Sequence, residues 1–199
     1  MKKQVEFLKN AILGKKVGAI SRSSKYVIER VIKNLKGSRA AVVIEYGPGD
    51  GVLTRELLKI IPQNGKLVAV ELDANFIRAL KKINDPRLLV VSGTMENVSA
   101  DITRYGVSKA DVIIASIPFS LIHRKDREMV VLNSARSLTA EGKLIIFHQY
   151  SKLMEPYIKK YFKKTTSTFE PRNFFPCFIM VGTDPQVDEQ EDINSRLLL

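Results

Sequence analysis

The sequence predicts an α/β protein: a doubly wound, mostly parallel sheet of seven strands with helices on both faces, closed by an antiparallel C-terminal strand. Three observations predict it. Short apolar runs alternate with helix-period stretches from residue 41 to residue 162, the pattern of successive strand–helix units. The first run, Ala41 to Ile44 with Tyr46 past one carboxylate, is nearly continuous rather than alternating, as in a strand buried on both faces. The last two strand-like runs are separated only by Pro171-Arg172-Asn173, which reads as an antiparallel hairpin at the sheet edge.

The elements follow in order. Met1 to Leu13 has an apolar stripe of Val5, Leu8 and Ile12, with Phe7 and Ala11 alongside, flanked by Lys2, Lys3, Lys9, Lys15 and Lys16. By pattern it is an amphipathic surface helix, broken at Gly14 and Gly18. Ser21-Arg22-Ser23-Ser24 offers an N-cap to a second helix carried by Tyr26, Val27, Ile28, Val31, Ile32 and Leu35, ended by Gly37. The strand at Ala41–Tyr46 runs into glycines at 47, 49 and 51. A helix with Leu53, Leu57, Leu58 and Ile61 on one side comes next, then a turn at Pro62 to Gly65. Leu67 to Glu71 is the second strand. Asp73 suits the N-cap of a helix Ala74 to Ile83, and Arg87 to Val91 is the third strand. The fourth is Ala110 to Ser116, followed by a loop from Phe119 to His123. A helix Asp126 to Leu138 turns Met129, Val130, Leu132 and Ala135 inward. Glu141-Gly142 reads as a turn into the fifth strand, Lys143 to Phe147. A helix Leu153 to Phe162 precedes the closing strands, Thr165 to Phe169 and Phe174 to Val181.

A chain of 199 residues is expected to form one main domain with a substantial core. No stretch of 18 apolar residues spans a membrane, and Met1 begins no secretory signal. Cys177 is the only cysteine, which excludes an intrachain disulfide and suits a reducing cytoplasm. The formal charge of +11 is unevenly spread: −4 over residues 184–199 and therefore +15 over residues 1–183. The tail is expected to be disordered. A body that basic favours an anionic partner, either nucleic acid or an acidic membrane surface.

The glycine turn narrows the chemistry. A strand, a tight glycine turn and a helix place a nucleotide-like ligand beyond the strand's carboxyl end, against the helix N-terminus. The dinucleotide spacing G-x-G-x-x-G would need a glycine where Val52 stands. The pattern is instead Glu45-x-Gly47-x-Gly49-x-Gly51. A carboxylate beside the turn repels a pyrophosphate and suits a ligand with a positive end. S-adenosyl-L-methionine, with its ammonium, sulfonium and adenosine, is such a ligand. The spacing, with Pro48 and Leu53-Thr54, resembles motif I of the Rossmann-like S-adenosylmethionine-dependent methyltransferases. Glu71, 22 residues past Gly49, then stands where an acid reaches the ribose hydroxyl pair. The resemblance implies that Glu45, Gly47, Gly49, Gly51, Glu71, Thr94, Met95 and Ser116 surround the cofactor. Thr94 occupies the place where many relatives carry an acid for the adenine amino group. No metal is expected. The chain divides into a helical extension (1–36, the amphipathic helix and a lid helix), an S-adenosylmethionine-binding methyltransferase domain (37–183) and the acidic tail (184–199).

Two families share these features. IEYGPGDGVLT and VAVELD resemble the ribosomal RNA adenine dimethylases. In enzymes acting on base amines, the segment after the fourth strand reads Asn or Asp, then x-Pro, then an aromatic. The polar group holds the amine and the aromatic stacks on the base. Here that segment is Ser116-Ile117-Pro118-Phe119: proline and aromatic are present, the amide or carboxylate is not. The second resemblance runs from about residue 7 to 181. FLKNAILGKKVGAISRSSKYVIERVI, SIPFSLI, FHQYSK and NFFPCFIMV look like the bacterial phospholipid N-methyltransferases. It implies methyl transfer to a phosphatidylethanolamine-like amine, peripheral attachment to the cytoplasmic face of the inner membrane, and a membrane-lying role for Met1–Leu13 against an anionic leaflet. A lipid ammonium must lose a proton before it attacks. His148 and Tyr150, just past the fifth strand, are the candidate catalytic groups, His123 a weaker one, and Phe119 the candidate substrate contact. Methylation of ribosomal RNA adenine at N6 and non-catalytic binding of the cofactor remain the alternatives.

Overall fold

The computed structural model describes residues 24–35, 40–93, 103, 106–173 and 175–187. The Met1–Leu13 helix, Thr94, Met95 and the tail from residue 188 lie outside the described residues. Helix α1 is Lys25–Leu35. Strand β1 (Val42–Tyr46), helix α2 (Val52–Ile60), strand β2 (Lys66–Glu71), helix α3 (Ala74–Leu80) and strand β3 (Leu88–Ser92) form the first half. Strand β4 (Ala110–Ala115), a single 3-10 turn at Phe119–Leu121, helix α4 (Arg124–Ser137), strand β5 (Leu138–Gln149), helix α5 (Glu155–Tyr161), strand β6 (Phe162–Glu170) and strand β7 (Cys177–Pro185) form the second.

The seven strands make one sheet in the order β3-β2-β1-β4-β5-β7-β6. β1 pairs in parallel with β2 and β4, β2 with β3, and β4 with β5. β7 inserts antiparallel between β5 and β6. The fold is therefore the Rossmann-like arrangement read from the sequence. Strand alternation sorts the apolar residues onto two faces. Val43, Leu67, Val112, Ile114, Ile145 and Ile179 meet α1 and α2 through Val31, Leu53 and Leu57. Ile44, Val68, Ile113, Leu144, Ile146 and Met180 meet α4 and α5 through Val130, Val131, Ala135 and Ile158. Val43, Ile44, Ile113 and Ile145 have no exposed surface. Each such side chain contributes about 1.5–3 kcal/mol of burial free energy, which is why the central strands read as continuous apolar runs.

The structure corrects three local expectations. Met129 does not turn inward: it is 40% exposed, and the fully buried Val131 takes its place in the core. The expected turn at Glu141-Gly142 is an irregularity inside one long strand. Leu138 pairs with Ala110 and Lys143 with Val112, so the extra residues 139–142 bulge opposite Asp111. A Cβ on Gly142 would sit 2.8 Å from the Leu138 Cβ, so the excursion closes only on a glycine. The Asp111 carboxylate accepts from the Ala41 and Val42 amides at 2.8 and 2.9 Å and fixes the start of β1. Strand β7 runs to Pro185 rather than ending at Val181, and the Gln186 amide donates to the Tyr161 carbonyl at 2.8 Å. Asp73 caps α3 as read from the sequence, accepting from the Asn75 and Phe76 amides.

Candidate active site

The parallel strands deliver their carboxyl ends to one edge, where β1 passes into the glycine turn. Gly47, Gly49 and Gly51 all adopt positive φ (71°, 57° and 79°), which L side chains rarely adopt. Two of them differ in what a side chain would meet. A Cβ at Gly47 would lie 2.7 Å from Ile117 Cγ2, because the segment after β4 packs directly on the turn. A Cβ at Gly49 would meet nothing within 4 Å. The turn is thus closed against the protein at Gly47 and open at Gly49, where a ligand can approach the backbone.

Three carboxylate-bearing and hydroxyl side chains converge on this turn. Glu45, on β1, is 1% exposed. Its Oε2 accepts from Thr54 Oγ1 at 2.7 Å, and its Oε1 is buried with no partner among the described residues. Burial, only partly offset by the Thr54 bond and reinforced by the neighbouring Glu71 charge, pushes the Glu45 carboxyl up to about 7. Glu71 ends β2. Its Oε2 accepts from the Gly49 amide at 3.0 Å, and its Oε1 accepts from the Leu72 and Asp73 amides at 2.8 and 3.0 Å. Three amides therefore hold the carboxylate in place, while Oε2, with a single bond, keeps a lone pair for a hydroxyl donor. Ser116 ends the β4 strand. Its Oγ donates to the Gly47 carbonyl at 2.7 Å, so the hydroxyl braces the turn from below. The N-cap of α2 is Gly51, which supplies no side-chain cap to the first helical amides.

These features fit S-adenosylmethionine on structural grounds alone. Among the described residues the ligand-facing side of Gly49 is open, Glu45 Oε1 is a buried acceptor without a donor, and Glu71 retains acceptor capacity toward a ribose. Thr94 and Met95, named for the adenine, lie outside the described residues.

On the acceptor side the structure departs from the sequence expectation. Phe119 is fully buried, its ring packed into the α4–α5 core. Arg127 from α4 holds it there, donating from Nε to the Phe119 carbonyl at 2.8 Å and from Nη2 to Ser120 at 3.2 Å. In this arrangement Phe119 is a core residue and offers no face to a substrate. His148, near the end of β5, places Nδ1 3.2 Å from the Ser151 carbonyl. The Ser151 hydroxyl lies 3.3 Å from the same Nδ1, so Ser151 holds the ring through that nitrogen by both its carbonyl and its side chain. Burial lowers the His148 pKa below the ordinary imidazole value, with Arg127 acting in the same direction and the Ser151 bond opposing. Tyr150 has φ of 65° and is 62% exposed, its ring 5.3 Å from that of Phe175. A non-glycine residue in that region costs on the order of 1–3 kcal/mol, and such strain clusters at functional edges. His123 caps α4, its Nδ1 accepting from the Lys125 amide, which accounts for it without a catalytic role. Thr54, Arg127 and Ser151 were not read from the sequence as site residues. Only Thr54 had a signal there, its place nine residues past Glu45 in the same motif. Among the described residues no cluster of His, Cys, Asp and Glu could hold a metal, and no helix is long and apolar enough to cross a membrane.

Comparison with known proteins agrees with this geometry. The family described as "Ribosomal RNA adenine dimethylase" matches residues 21–120. An ornithine lipid N-methyltransferase of Singulisphaera acidiphila is 21% identical over 166 residues, covering 82% of this chain and 86% of that protein. A probable ribosomal RNA small subunit methyltransferase A of Methanopyrus kandleri is 31% identical over 96 residues, covering 48% of this chain and 32% of that protein. The chain thus spans about a third of the length of this RNA-modifying relative. Among solved structures, the 1,6-didemethyltoxoflavin-N1-methyltransferase of Burkholderia thailandensis, with bound S-adenosylhomocysteine, superposes with a TM-score of 0.67 at 14% identity, over 92% of this chain and 87% of that one.

Proposed function

Since the chain belongs to the ribosomal RNA adenine dimethylase family and is an S-adenosylmethionine-dependent methyltransferase, we propose that its methyl acceptor is the amine of a membrane lipid. One observation carries this reading. The segment that positions a base in base-amine enzymes is occupied otherwise here: the Ser116 hydroxyl bonds to Gly47 and Phe119 is buried in the core. The position offers no amide or carboxylate to hold an adenine amine, and Phe119 presents no stacking face. The family match ends at residue 120, whereas the similarity to the ornithine lipid N-methyltransferase, at 166 residues, necessarily extends beyond it.

In this reading the donor's positive end lies against Glu45, the turn at Gly47–Gly51 cradles it, and Glu71 takes the ribose hydroxyls. When bound, S-adenosylmethionine supplies an electrophilic methyl on its sulfonium. The residues of the chain do the rest. His148 accepts the proton that a lipid ammonium must lose, because Ser151 holds its ring in place and burial favours the neutral imidazole. Tyr150 orients the amine from the rim. Alignment of the nitrogen with the sulfur–methyl bond supplies much of the rate, as in any displacement between held partners. The basic body and the Met1–Leu13 helix bring the enzyme to an anionic leaflet at the inner membrane face.

The test is methyl transfer from labelled donor to vesicles of phosphatidylethanolamine and to vesicles in which the same amine is acylated. Label in the lipid extract of the first only is expected. Label in neither, with transfer to ribosomal RNA, contradicts the reading and installs the adenine-methyltransferase alternative.

A further inference from the structure

The carboxyl ends of β5 and β6 meet the start of β7, and this corner holds two aromatic pairs outside the core. Register places His148, Phe178 and Phe169 in one row across β5, β7 and β6. The Phe169 and Phe178 rings lie 4.9 Å apart, and Phe169 is 49% exposed. Tyr150 and Phe175 form the second pair in the adjoining turn. Packing between rings does not bury them; large apolar residues are held at the surface beside the candidate base.

One cation sits against the first pair and another lies in the β6–β7 turn that carries Phe175. Lys152 Nζ lies 5.8 Å from the Phe178 ring centroid, and the Arg172 guanidinium lies 4.2 Å over the Tyr26 ring. The nearby carboxylates are already neutralised. Glu170, fully buried, binds both Arg30 and Arg172. Glu155 is shared between Lys152 and Lys159. The Glu155 cluster sets two cations against one acid and keeps a net positive charge, whereas Glu29 as well as Glu170 acts on Arg172. Exposed aromatics with cations behind them match a bilayer interface, where rings settle at headgroup level and Lys or Arg face anionic phosphates.

We infer that this corner, Tyr150 and Phe169 backed by Phe175 and Phe178, with Lys152 over Phe178 and Arg172 in the β6–β7 turn, is a membrane-docking surface for an anionic leaflet. The inference rests on the lipid reading and deepens it. It is a folded contact site distinct from the Met1–Leu13 segment. Because the row ends at His148, docking here turns the active-site mouth toward the headgroups, so the lipid amine reaches the base without leaving the membrane plane.

The chain contains no tryptophan, so Phe169→Trp in the full-length protein is a single, site-specific reporter. With vesicles containing phosphatidylglycerol, its emission should shift to shorter wavelength and be quenched by lipids brominated in the acyl chains. Vesicles of phosphatidylcholine alone should leave it unchanged. The paired variant Phe169→Gln with Lys152→Gln should lower partition onto anionic vesicles at least tenfold while leaving the dissociation constant for S-adenosylhomocysteine unchanged, which also reports that it is folded. If the protein floats with anionic vesicles and methylates lipid, yet the Phe169→Trp emission is silent and the paired variant floats equally well, this inference is wrong and the lipid reading stands. If the protein does not float and the emission is quenched by ribosomal RNA, both are wrong.

Discussion

Glu45 concentrates the tension between stability and function at a single residue. It ionises near 4.5 when unfolded and near 7 in the folded chain, because burial outweighs the Thr54 bond. The folded state therefore holds the proton more tightly. Stability falls as pH rises from about 4.5 to about 7, by roughly 3 kcal/mol over the window. The same orphaned Oε1 is the acceptor that a cationic ligand would satisfy. Glu45→Gln keeps the shape and removes the charge. Denaturant titration at pH 8 should find the ligand-free variant more stable than the wild type. Calorimetry should find S-adenosylhomocysteine bound more weakly by roughly 1.5–3 kcal/mol, the range for a hydrogen bond to a charged group. A wild-type stability that does not vary across that pH window would remove the charge from this account. Glu45 was legible in the sequence from its spacing to the glycines, but its unpartnered oxygen was not. That depends on Thr54 taking Oε2 and on no other donor among the described residues coming within reach.

At the scale of elements, the glycine turn separates a folding role from a binding role. Gly47 is pressed against Ile117, so Gly47→Ala must displace the segment after β4 as well as strain the backbone. It should destabilise the fold by about 1–3 kcal/mol per effect. Gly49 faces open space, so Gly49→Val carries the backbone strain alone and places its side chain where the donor binds. Thermal melts and S-adenosylhomocysteine calorimetry on both variants check the contrast: the first should lose mainly stability, the second mainly affinity. Equal losses of affinity without loss of stability in Gly47→Ala would contradict it. The seven strands, the parallel pairing of most of them and the antiparallel closing hairpin could be read in advance from the continuous apolar runs and the short Pro171–Asn173 connection; the strand order, with β7 inserted between β5 and β6, could not. What also could not be read was how far elements extend and which way loop side chains turn. β5 begins at Leu138 because four residues can bulge opposite Asp111, a register fact no local pattern encodes. An aromatic after β4 looks the same in sequence whether it stacks on a ligand or folds into the core. Arg127, eight residues on, holds its carbonyl and accompanies the second outcome.

For the molecule as a whole, helix α1 closes over the sheet and is pinned at the functional edge. The Arg30 guanidinium bonds the buried Glu170, and the Ser24 amide donates to Asn173 Oδ1 at 3.0 Å. Two guanidiniums hold the Glu170 carboxyl down at about 2, so this pin contributes fully above pH 4.5 and is lost as pH falls toward 2. Cofactor turn, candidate base, aromatic corner and α1 N-terminus thus lie along one edge of a basic body. Charge alone suits either a leaflet or an RNA, and salt sensitivity is common to both. The acceptor itself decides between them. In a single reaction, full-length protein and labelled S-adenosylmethionine are offered ribosomal RNA and anionic vesicles containing phosphatidylethanolamine together, and label is counted in the lipid extract and in the nucleic acid. The account predicts label in the lipid fraction, abolished by Gly49→Val. Label in the RNA with none in the lipid would contradict it.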